Sequence, residues 1–106
     1  MPNALCMKTS RIDDLKSVAK DLRQEEPRPP EQELGGFQGG ARVLDKCRAS
    51  LVGWEGDYQF GCPFDQSFAR DAGIDLNTFK DIVATGASDE EVADWLRLNA
   101  KSPQPH

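Results

Sequence analysis

The residue types best suited to chemistry are gathered in one stretch of this chain, Gly53 to Asp75. It holds one of two Trp, the only Tyr, three of five Phe and one of three Cys. Within it, Cys62-Pro63 is followed by Asp65. Pro63 fixes the backbone beside the thiol, and a helix beginning near Asp65 would point its positive end back at the sulfur. Such a position lowers a thiol pKa and makes the sulfur nucleophilic. Two features oppose that role. Asp65 places negative charge beside any thiolate, and the one histidine, His106, is the last residue, so no internal imidazole base is present. A nucleophile–His–acid triad of the ordinary kind is therefore excluded. A structural thiol packed among aromatic rings is favoured, because free Cys is among the most buried residue types. No catalytic residue is assigned, and Cys62 is the one candidate. Acid–base work by paired carboxylates would need Asp57, Asp65 or Asp71 to meet in space, which spacing does not show.

A second set is cationic: Arg28, Arg42, Lys46 and Arg48, with Asp45 among them. Arginine forks recognise carboxylate or phosphate at two points. With Tyr58, Cys62 and Asp65 these residues are the candidate binding set, for a small anionic ligand or a protein partner. The simpler alternative is a solvated helical face, its i,i+3 ion pairs worth about a few tenths of a kcal/mol each. The run GGFQGG precedes that helix and could offer backbone N–H groups to an anion. It does not end in Gly-Lys-Ser/Thr, and no strand is expected before it, so a flexible connector is favoured.

Composition narrows the classes. The chain has 106 residues, one domain at most, with 18 acids against 13 bases and a net charge of -5. That excess argues against a general nucleic-acid binder, which presents a basic face, and against an anionic membrane surface. Cys6, Cys47 and Cys62 are widely spaced, without CxxC. Neither a metal site nor a cofactor is expected, and three Cys with no leader read as free thiols in a reducing cytoplasm.

The elements that must position these side chains follow from periodicity. Ser10 offers an N-cap to a helix with Ile12, Leu15, Val18, Ala19 and Leu22 on one side, ending near Gln24 because Pro27 disfavours helix at Glu26. Residues 25–40 contain three prolines and four glycines and read as a connector, with Phe37 as an anchor. Ala41 to Val52 is the clearest helix: Val43, Leu44, Cys47 and Leu51 share one arc and Arg42, Asp45, Lys46 and Arg48 the opposite one. Gly53 ends it. Tyr58, Phe60 and Cys62 alternate with polar or small residues, so a short strand at 57–62 and an irregular loop are both open. Helices should follow from Asp65 to Ala72, from an Asp75 cap to about Gly86, and from a Ser88–Glu91 capping box onward, with Val92, Trp95, Leu96 and Asn99 inward. Residues 1–9 and 100–106 read as tails around a single domain over 10–99.

The runs PRPPEQELGG, ARVLDKCRA, GDYQFGCPFDQSF, GID and ATGASDEEVADWL occur in that order between Leu22 and Leu96. Together they resemble a family of small bacterial proteins of unknown function (domain of unknown function, family 5069). The resemblance picks out Pro27-Arg28, Leu34-Gly35-Gly36, Arg42, Asp45-Lys46, Arg48-Ala49, Tyr58, Cys62-Pro63 and Asp65. Pro30, where a small residue is expected, and Phe64, where an aliphatic is commoner, depart from it. The resemblance implies no activity. It does imply that the polar face of 41–52 belongs with the Pro-Arg and Cys-Pro-Phe-Asp segments; one structural form of such a cluster is Arg42 or Arg48 paired with Asp65, which would pin the central loop.

The expectation is a mainly α single domain of four or five short helices with an irregular aromatic central segment. It would act as a non-catalytic binding or interaction module, a homodimer being one arrangement open to it. Its recognition surface would combine loop 27–40, the basic face of 41–52 and loop 54–65. The rivals are a thiol-dependent enzyme or redox sensor using Cys62, and a purely structural partner or inhibitor of another protein.

Overall fold

The structure, a computed structural model, describes residues 13–100. Helical residues 13–18 form α1. There follow β1 (Glu33–Leu34), β2 (Phe37–Gln38), α2 (Gly40–Val52), α3 (Pro63–Ala72), α4 (Leu76–Val83) and α5 (Asp89–Asn99). Ser10, Ile12, Cys6 and the expected terminal tails lie outside the described residues, apart from Ala100.

Most helix ends fall where their capping residues place them. Gly53 and Gly73 close α2 and α3 in the left-handed conformation. Asp75 accepts the Thr78 N–H at 3.1 Å to start α4. Ser88 and Glu91 exchange bonds of 2.9 and 3.2 Å at the start of α5. Two expectations change. The first helix stops at residue 18 because the Asp21 carboxylate draws in the Arg23 N–H and side chain, forming a local turn. The Leu22 N–H then goes to Trp54 O at 2.9 Å. Asn99 faces out and returns its amide to Trp95 O. Of the two forms open to residues 57–62 the structure takes the irregular loop: the Tyr58 N–H turns back to Glu55 O, and Gly61 has φ 95°.

The strands lie instead inside the expected connector. β1 and β2 pair antiparallel, Leu34 opposite Phe37, around Gly35-Gly36. Both glycines have positive φ (64° and 88°), as a two-residue type I′ hairpin requires. Gly35 is also needed for space, since a Cβ there would meet the Ala93 carbonyl oxygen of α5 at 2.9 Å. The hairpin thus seats Leu34 and Phe37 in the core rather than leaving a loose loop.

α2 sits at the centre, touching α3, α4 and β1, while α5 closes over β1. Its apolar arc supplies Val43, Leu44 and Cys47 to a core completed by Leu15, Val83, Val92 and Leu96. Phe79 anchors that core, with edge-on contacts to Phe68 and Trp95 at centroid distances of 5.9 and 6.3 Å. No helix among the described residues is long and apolar enough to cross a membrane.

Candidate functional site

The polar arc of α2 is buried as well. Asp45, Lys46 and Arg48 are 1%, 5% and 3% exposed. The simpler expectation of a solvated face therefore gives way. That arc is covered by the Pro27–Arg28 segment and by the first turns of α3 and α5. Removing an ion from water costs several kcal/mol, repaid only by a well-placed partner and further hydrogen bonds. The side chains respond by closing into two clusters.

The first joins the loop, α2 and α5. Arg28 places Nε and Nη2 on the two Asp45 carboxylate oxygens at 3.0 and 2.9 Å, and its backbone N–H adds a third bond at 2.8 Å. Its Nη1 reaches Asp89 at 2.8 Å. Arg48 reaches the same carboxylate at 2.8 Å and the Ala87 carbonyl at 2.8 Å. Burial works to raise the Asp89 pKa, but Arg28 and then Arg48 outweigh it and hold the carboxyl below its usual value. Arg42 stands beside this cluster, bonded to Arg28 O at 3.3 Å with its guanidinium 5.8 Å from the Tyr58 ring. An open cleft of ≈ 340 Å³ lies over the cluster, lined by Lys20, Arg28, Asp45, Arg48 and Asp89 among others. Arg48 Nε is buried and meets no acceptor among the described residues.

The second cluster joins α2 to the start of α3. Cys62 is the N-cap in extended conformation, Pro63 opens the helix, and Asp65 stands in its first turn. Asp65, fully buried, takes the Gly61 N–H at 2.8 Å and Lys46 Nζ at 3.2 Å. Lys46 Nζ also lies 2.9 Å from Cys62 Sγ and 5.9 Å from the Phe64 ring. Partial burial acts to raise the Cys62 pKa. The Lys46 hydrogen bond and the nearby Asp65 and Phe64 backbone N–H groups outweigh it, together with the opposing Asp65 charge, and the thiol falls below its ordinary value. Those backbone groups contribute without a fully formed cap bond. Cys47 is the contrast: fully buried in the core, its thiol is pushed up to about 12 by desolvation.

The structure brings all eight candidate residues onto or against one side of α2, but not into one pocket. Arg28, Asp45 and Arg48 form one cluster, Lys46, Cys62 and Asp65 the other, and Arg42 with Tyr58 flanks the first through the Arg28 carbonyl. Asp65 is paired by Lys46 rather than by Arg42 or Arg48. One participant went unforeseen. Asp89 was legible only as a first-turn acid; Lys46 was among the candidates, but its pairing with Asp65 and Cys62 was not foreseen. No group of His, Cys, Asp and Glu that could hold a metal occurs among the described residues.

Residues 24–106 match the sequence model of a family described as a domain of unknown function (DUF5069). No curated protein matches the chain.

Proposed function

We propose, for a chain that belongs to the DUF5069 family of domains of unknown function, a role as a thiol-based sensor of oxidants or electrophiles, with Cys62 as the reacting group. One observation carries this: the buried Lys46 ammonium lies 2.9 Å from a partly exposed sulfur. A cation in contact with a thiol favours the thiolate, the form that attacks peroxides and carbon electrophiles. The opposing Asp65 charge is countered by the same ammonium. Lys46 thus takes the cationic place that a histidine holds in many reactive-thiol sites. Alkylation of the native protein against pH, followed at each cysteine peptide, tests the reading. Cys62 should label rapidly near neutral pH with a midpoint below the ordinary thiol value, and Cys47 only after unfolding. Labelling of Cys62 that waits for unfolding, or follows an ordinary thiol titration, rules the role out.

A second reading is favoured by the cleft over Arg28 and Arg48, where a buried Arg48 Nε lacks an acceptor. It is a binding module for a small anion, with Lys20 at the edge. Inorganic phosphate should then raise the melting temperature of the wild type, and Lys20→Met should weaken that rise. A melting temperature indifferent to phosphate removes this reading and leaves the thiol role untouched.

A further inference from the structure

We propose that Lys46 and Cys62 are a covalent modification site: oxidation of the thiol by hydrogen peroxide leads to a sulfenamide bond between Sγ and Nζ. This inference rests on the reactive-thiol reading and adds the fate of the oxidised sulfur. The thiolate attacks one peroxide oxygen, giving Cys62–SOH and hydroxide, which is protonated to water. The sulfur is oxidised by two electrons and the peroxide reduced by two. A sulfenic acid is electrophilic at sulfur and condenses with a neighbouring thiol or nitrogen. The nucleophile already in contact here is Lys46 Nζ, at 2.9 Å.

Nζ has little freedom to leave. Lys46 is 5% exposed, and its ammonium is held between Sγ and Asp65 Oδ1, the latter at 3.2 Å. Asp65 is placed to relay one proton from the ammonium to the hydroxide released in the first step, returning to its carboxylate form. The amine then attacks sulfur, the S–O bond breaks, and hydroxide leaves as water with a second proton from nitrogen. The overall reaction, written from thiol and amine, consumes one peroxide and yields the S–N bond and two waters. Cys47 is no competitor from within the core, where it is fully buried.

The bond would also alter the fold locally. It removes the cation from the Lys46–Asp65 pair, leaving a fully buried carboxylate with the Gly61 N–H as its remaining contact. A buried charge that loses its partner destabilises its surroundings. Oxidation would therefore tether α2 to the start of α3 while loosening the Gly61–Asp65 turn.

The test uses the full chain carrying Cys6→Ser, so that a disulfide with Cys6 cannot mimic the product. The protein is treated with hydrogen peroxide and its mass and peptide map are read without reductant. A product lighter by two hydrogen atoms, mapped to a Lys46–Cys62 linked peptide and reversed by dithiothreitol, is the expected result. In Lys46→Arg, a poor nucleophile that keeps the charge, dimedone should instead capture the sulfenic acid at Cys62. If the Cys6→Ser protein gives dimedone-trapped or over-oxidised Cys62 with Lys46 unmodified, the bond is overturned while the reactive thiol stands. If Cys62 resists peroxide altogether, both fall. Should Lys46→Arg fail to fold, the peptide map of the Cys6→Ser protein decides alone.

Discussion

Asp65→Asn should destabilise the protein by about 3–5 kcal/mol, the range for breaking a buried ion pair from one side, and should lower the pH at which Cys62 ionises. The stability effect follows from Lys46, which is left at 5% exposure without its carboxylate. The thiol effect follows from the sign of the lost charge: Asp65 acts to raise the Cys62 pKa, whereas Lys46 acts to lower it. Lys46→Met should cost a similar amount, because it strands the fully buried Asp65, yet it should move the thiol the other way. Two substitutions with the same sign on stability and opposite signs on the thiol separate electrostatics from general damage. Urea unfolding gives the first quantity and the pH profile of alkylation the second. Linkage adds a further check. A depressed folded pKa contributes stability that is fully present above the unfolded thiol value and is lost as pH falls through the folded one. The rise in stability across that alkaline window should therefore be smaller in Lys46→Met. A thiol pKa that responds alike to both substitutions contradicts the arrangement.

Arg28→Ala should be the other large loss, about 3 kcal/mol or more. It strips the bidentate guanidinium from Asp45, whose side chain is 2% exposed, and one of two cations from Asp89. Against a total stability of about 5–15 kcal/mol for a domain of this kind, that is a substantial fraction. Arg28→Lys should restore little, since a single ammonium cannot occupy both Asp45 oxygens and reach Asp89 together. The loop carrying Arg28 should become a protease target in the variant, because that side chain ties it to both α2 and α5. The acid limb gives an independent reading. Asp89 is held below its usual pKa, so its contribution is present above the ordinary carboxylate range and disappears as pH falls through the lowered value. With one cation gone, the loss on acidification should begin at higher pH. Unchanged protease resistance and an unchanged acid transition would contradict this role for Arg28.

Much of the architecture was legible because its signals are local. Caps at Asp75 and Ser88 and stops at Gly53 and Gly73 act within a few residues, and the structure uses all four. The hairpin was also legible in principle. Leu34-Gly35-Gly36-Phe37 is a two-glycine loop between apolar residues, the pattern of a type I′ turn. It was outweighed by three nearby prolines, which draw attention to an extended connector. The polar arc of α2 is a different case. Periodicity correctly separated Arg42, Asp45, Lys46 and Arg48 from the apolar side, but a helix wheel says nothing about what covers each side. Burial of the charged side depended on Asp65 and Asp89, brought in from helices that start later in the chain. The Lys46–Cys62 contact spans 16 positions and the Arg48–Asp89 contact 41, distances over which sequence spacing fixes no geometry.

The same buried charges bear on how the fold answers heat. The hydration of ions becomes less favourable as temperature rises, so the penalty for keeping Asp45, Lys46, Arg48 and Asp65 out of water shrinks, while hydrophobic stabilisation per unit area levels off. The polar arc of α2 therefore takes a growing share of the stability on warming, relative to the apolar arc. One helix presents two kinds of cohesion to opposite sides, and they respond differently to temperature.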